Sequence, residues 1–175
     1  MAEMTHITHS FDPVFDENSR VLILGTLPSV RSREQGFFYG HPQNRFWRVV
    51  ASVTHSPVPV TIPEKKAVLL ENGIAVWDVI AECDIAGSSD ASIKNTVPAD
   101  LSPIFSGADI KAVFANGTAA AKLYDRFQKK SCGMAITTLP STSPANAAWS
   151  FEKLVNRWSE MISQYLDNAK DGVIR

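Results

Sequence analysis

The chain has 175 residues, and its 17 Lys and Arg against 18 Asp and Glu leave a net charge of -1. That length fits one domain, and a hydrophobic share of 45% excludes a disordered or collagen-like chain. Near-zero net charge excludes a histone-like binder held by bulk charge, but it permits a local basic patch.

The cysteines are Cys83 and Cys132, too few for a four-cysteine metal site. Two isolated cysteines suggest a reduced, cytosolic protein. No apolar run approaches the ~20 residues of a membrane span, and the first residues lack a signal-peptide core. Residues 1–18 and 168–175 read as weakly ordered tails of a single domain.

In chain order, Arg20 to Gly25 is an apolar run ending in glycine, a buried strand feeding a tight turn. Residues 41–54 read as a helix, with Phe46, Val50 and Val53 on one face. Pro63 and Glu64 open another helix, which Asn72 and Gly73 close. Ile74 to Trp77 is a second buried strand. Residues 84–103, rich in Ser, Asp and Pro, read as a long loop. A third strand at 110–115 leads to a helix at 117–129, and a fourth at 135–139 stops at Pro140. Residues 150–166 carry Phe151, Leu154, Val155, Trp158, Met161 and Ile162 at helical spacing.

Apolar strands alternating with helices imply a three-layer α/β/α sandwich around a mostly parallel four-stranded sheet. Sites in such folds lie beyond the carboxyl ends of the strands. The segments that follow each strand are therefore the ones to read for chemistry. From Arg31 to Arg48, four arginines (31, 33, 45 and 48) accompany one acid, Glu34. Basic residues interleaved with aromatics suit a nucleic-acid surface, although a solvated helix start beside core aromatics explains them equally. Ser141, Thr142 and Ser143, just after the last strand, suit either a phosphate cradle or an ordinary helix cap.

Three motifs stand together: Gly25 to Pro28 as G-x-x-P, Phe38 to Trp47 as F-Y-G-H-P-x-N-R-F-W, and Leu139 to Pro144 as L-P-S-x-S-P. With W-D-V-I at 77–80, F-A-N-G at 114–117 and G-S-S-D-A-S-I at 87–93, they resemble the uracil-DNA glycosylase superfamily over roughly residues 20–160. The nearest branch is that of the hypoxanthine-DNA glycosylases, sometimes called family six.

The resemblance implies a monofunctional glycosylase that flips a deaminated base out of double-stranded DNA and hydrolyses its N-glycosidic bond. It implies a monomer that needs no cofactor, metal or membrane. Other branches carry an Asp, Asn or Glu two residues after the first glycine, where this chain has Leu27. In this branch catalysis is associated with the Asn of H-P-x-N, here Asn44. An amide is no base near neutral pH, so Asn44 orients water or stabilises charge along a dissociative route. Asn116 and Asp78 are the candidate readers of the base edge, next to Gly25 and Leu27, and Tyr39 or Phe38 would stack on the base. Ser29, His41, Arg45, Ser141 and Ser143 would hold DNA, with Pro144 as a wedge. For Asn44, Asn116, Asp78 and His41 the plainer alternative is capping or loop bonding.

No lysine falls in these motifs, so Schiff-base strand cleavage is not expected. His6 and His9 lie in the polar N-terminal tail, with no metal role expected. Hypoxanthine and uracil both present a carbonyl beside an N–H, so edge bonding alone separates them poorly. A uracil or mismatch glycosylase and a non-catalytic damage-binding module therefore remain alternatives. A small-molecule enzyme on the same kind of sheet is a third, disfavoured by the absence of a G-x-G-x-x-G or Walker loop.

Overall fold

A computed structural model describes the backbone of residues 3–173 and the side-chain surroundings of residues 3–166. Four parallel strands form its centre: β2 (Val21–Gly25), β3 (Ile74–Asp78), β6 (Ala112–Asn116) and β7 (Ile136–Leu139). Their order across the sheet is β3-β2-β6-β7. All five residues of β2 are buried, as an interior strand covered on both faces requires.

Alternate side chains of a strand point to opposite faces, and here they divide the core in two. Val21 and Ile23 join Ile74, Val76 and Phe114 beneath α2 (Phe46–Thr54), α3 (Ile62–Glu71) and α7 (Phe151–Val173). Leu22 and Leu24 join Ala75, Val113 and Ala115 beneath α4 (Ser102–Gly107) and α5 (Thr118–Phe127), which the short α6 (Lys129–Cys132) follows. This is the three-layer sandwich that the alternating strands and helices imply. The α3 helix begins with a full capping box, in which Thr61 accepts from the Glu64 N–H and Glu64 accepts from the Thr61 N–H.

Several expectations need correction. The helix expected from 41 starts only at Phe46, and residues 41–45 form turns that face the sheet's carboxyl edge. A short helix, α1 (Val30–Gln35), precedes them, with Ser29 as its N-cap. Residues 84–103 are not one long loop. They hold the end of β4 (Ile80–Ala86), a single helical turn at Asp90–Ser92, and β5 (Lys94–Pro98).

The N-terminal segment is not a loose tail. β1 (Met4–Thr8) pairs antiparallel with β4, so that β1, β4 and β5 make a second sheet in the order β1-β4-β5. Ile7, Ile80, Cys83 and Ile85 form its small core, and Val14 bridges to Val76 of the main sheet. The C-terminal tail expected at 168–175 is instead a continuation of α7 as far as Val173, and residues 174–175 lie outside the described residues.

Candidate functional site at the carboxyl edge of the sheet

Because the four central strands run parallel, their carboxyl ends meet along one edge. Gly25, Asp78 and Asn116 end three of them, and Ser141 follows the fourth. These residues line a cavity of about 370 Å³. That volume is at the low end of the range for small-ligand sites, about 300–1,000 Å³. Every residue singled out from the sequence for this site lines the cavity except Arg45.

Thr142, which the sequence offers only as one hydroxyl of a phosphate cradle or helix cap, ties the two site asparagines together. Its hydroxyl donates to Asn44 Oδ1 at 2.8 Å and accepts from Asn116 Nδ2 at 2.9 Å. Its backbone N–H donates to Asn116 Oδ1 at 3.0 Å. Asn44 Oδ1 also accepts from the Phe46 N–H at 2.9 Å. Both lone pairs of the Asn44 carbonyl are thus engaged, which fixes the amide orientation and leaves its NH2 to face other partners. The helix-start role and the site role belong to different atoms of the same side chain. Thr142 is fully buried, and its loop is held from behind by the Trp158 indole, which donates to the Pro140 carbonyl at 2.9 Å.

On the other side of the cavity, Asp78 and Tyr39 converge over Gly25. A Cβ at position 25 would lie 2.6 Å from Asp78 Oδ1 and 3.0 Å from the Tyr39 hydroxyl, so only glycine leaves both atoms in place. Tyr39 has a left-handed backbone (φ 51°), which turns its ring onto Phe46 with 3.9 Å between centroids. Its hydroxyl is buried and meets no partner in hydrogen-bonding geometry among the described residues. Burial first, then the neighbouring Asp78 carboxylate, push this phenol well above its ordinary range, with Asn116 pulling the other way. Tyr39 is therefore a neutral donor at any physiological pH.

His9, placed by its sequence in a polar tail, is buried behind this pair. Its Nε2 lies 2.8 Å from Asp78 Oδ2, and the two side chains are 4% and 5% exposed. No local pattern signals this contact, because the partners are 69 residues apart in sequence. His6, by contrast, makes an exposed bond to Asp84 across the second sheet. No group of three or more metal-binding side chains occurs among the described residues.

Leu27 packs against the core of the second sheet and gives the cavity an apolar wall. Phe38 is 2% exposed and meets Phe11, Phe37 and Trp77 edge-on, so it is floor rather than a free stacking platform. His41 Nδ1 accepts from the Gln43 N–H at 3.1 Å, which puts the ring proton on Nε2. Ser29 Oγ caps α1, while Ser141 and Ser143 each accept a backbone N–H two residues on. Pro144 is exposed at the rim.

Arg45 differs from its expected role as a DNA contact. Its Nη2 donates to the Ser143 and Asn146 carbonyls at 3.0 and 3.1 Å, and its Nη1 to the Trp149 carbonyl. With its Nε toward the Thr142 carbonyl, the guanidinium organises the loop between β7 and α7. Arg48 lies over the Phe151 ring at 5.0 Å. Arg48 itself is exposed, so of these two arginines only Arg45 is directed inward. Lysine cannot reproduce this fork, so Arg45→Lys is expected to lower the unfolding free energy by about 2 kcal/mol in urea denaturation, with a parallel loss of activity.

Comparison with known proteins agrees with this geometry. The profile of the Uracil DNA glycosylase superfamily matches residues 13–162. A protein of Methanosarcina barkeri named hypoxanthine DNA glycosylase is 31% identical over 157 residues, covering 86% of this chain and 94% of the relative. One of the same name from Methanosarcina acetivorans is 34% identical over 146 residues, covering 82% and 91%. The solution NMR structure of a candidate uracil DNA glycosylase from Methanosarcina acetivorans superposes with a TM-score of 0.73 at 28% identity, covering 90% of this chain and 98% of that one. The chain belongs to the uracil DNA glycosylase superfamily.

Proposed function

We propose that this glycosylase removes hypoxanthine from double-stranded DNA and leaves an abasic site in an unbroken strand. The observation that carries this reading is the convergence of Asp78 Oδ1 and the unpartnered Tyr39 hydroxyl over Gly25, inside the cavity. An acceptor beside a neutral donor complements the N–H and C=O of a lactam edge. Adenine presents the opposite pattern at that edge and is rejected. The two relatives named hypoxanthine DNA glycosylase point the same way.

In the reaction, the C1′–N bond breaks and its electron pair leaves with the base. The Asn44 NH2, whose carbonyl is already engaged, donates to the developing negative charge. The His41 Nε2–H is a second donor at the cavity wall. Water then adds to the sugar cation, and its proton passes to the departed base or to solvent. Leu27 supplies no base, which agrees with a dissociative route. In this reading Ser29, Ser141 and Ser143 meet the DNA backbone, and Pro144 enters the stack. The free thiols Cys83 and Cys132 suit a reducing, cytosolic setting. Among the described residues no helix is long and apolar enough to cross a membrane.

A uracil glycosylase is the second reading, because uracil shares the lactam edge and the NMR relative is described as a candidate of that kind. Oligonucleotide duplexes carrying one hypoxanthine or one uracil decide between them. The expected result is hypoxanthine release, with strand breakage only after alkali. Dominant uracil release selects the second reading, and breakage without alkali overturns the monofunctional assignment.

A further inference from the structure

We propose that His9 is a specificity-determining positioning residue, holding Asp78 so that one carboxylate oxygen faces the pocket and selects bases that carry a ring N–H. The inference rests on the reading of the cavity as the base pocket.

The imidazole sits in an aromatic cage. Trp77 lies 4.2 Å away between ring centroids, Phe11 4.6 Å and Phe38 6.1 Å. Nδ1 is buried and has no partner, so Asp78 is the only side chain to which this ring bonds among the described residues. With Nδ1 facing apolar rings, the proton belongs on Nε2, where it is donated to Asp78 Oδ2. That bond fixes the carboxylate rotamer and leaves Oδ1 over Gly25, beside the Tyr39 hydroxyl.

A purely stabilising role explains this pair poorly. Buried polar pairs are seldom more stable than apolar packing of equal volume. The site is also costly in a second way, since an orphaned Nδ1 is kept buried. Both features are understandable if the gain is orientation. His9 reaches this place because its backbone N–H donates to the Ala81 carbonyl at 2.8 Å, continuing the register of β1 on β4. The N-terminal strand thereby belongs to the recognition apparatus.

The test compares release of hypoxanthine and of N1-methylhypoxanthine, which lacks the ring N–H, by wild type, His9→Gln and His9→Asn. Gln places an N–H near the position of Nε2, whereas Asn places it near Nδ1, short of Asp78. Wild type and His9→Gln are expected to favour hypoxanthine on the order of 10,000-fold, as sites built around a substrate N–H do. His9→Asn is expected to lose most of that ratio, at a thermal midpoint close to that of His9→Gln. A mere packing role moves the midpoint and the overall rate but leaves the ratio intact, and an unchanged ratio in folded His9→Asn overturns the proposal. If His9→Asn does not fold, Asp78→Asn carries the same comparison, and a preserved ratio there overturns it too. Should wild type prefer uracil, uracil and N3-methyluracil replace the purine pair. Wild type that releases neither base sinks the pocket reading and this inference together, which distinguishes that failure from the failure of His9 alone.

Discussion

Asn44→Ala is expected to lower base release by about 100- to 1,000-fold in single-turnover assays, the range found when a donor to developing charge is removed. Binding of a lesion duplex should change little, because the lost group acts on the leaving base and not on the DNA backbone. Asn44→Asp sharpens the result. A carboxylate can still accept from the Thr142 hydroxyl and the Phe46 N–H, so the loop keeps its two bonds. What it loses is the NH2. If the donor does the work, Asp is as poor as Ala, and a folded Asp variant that retains hypoxanthine release rejects that role. The structure thereby narrows the two roles that the sequence left open for this residue. An amide whose oxygen is already doubly bonded does not orient water through that oxygen.

The legibility of this chain in its sequence divides along burial. Three central strands, β2, β3 and β6, are read easily because each is a mostly buried apolar run, whereas β7 buries only Leu139 and is marked in the sequence by the Pro140 that stops it. The second sheet escapes because β1 buries only Ile7 and β5 buries no residue, so neither shows a periodic pattern. Missing β1 also hides His9, which looks like a polar residue in a polar segment until its strand is paired. The site residues after each strand are legible because the parallel topology and the family motifs select the same loops. Thr142 is not told apart from the two serines that flank it, and only tertiary structure shows that it is the fully buried one. Arg45 is misread for a related reason. Charge marks a residue for the surface, yet four backbone carbonyls within its reach give a guanidinium an inward use.

Thr142→Val should reduce base release on the order of 10- to 100-fold, although the residue is fully buried and the change is nearly isosteric. The hydroxyl is both donor to Asn44 and acceptor from Asn116, so a methyl in its place loosens both amides at once. Leaving those buried groups unpaired should also cost about 1–3 kcal/mol of stability, measurable by urea denaturation. Thr142→Ser keeps the hydroxyl and should restore most of the activity. The decisive comparison is the double variant with Asn44→Ala. If Thr142 works by pinning Asn44, removing its hydroxyl after the amide is gone should lower the rate only slightly further. Full additivity would mean that Thr142 acts through Asn116 or on the DNA directly. The Thr142 backbone N–H bond to Asn116 Oδ1 survives in every variant, so Asn116 is held at one point throughout. The nonadditive part of the loss therefore measures the orientation of Asn44.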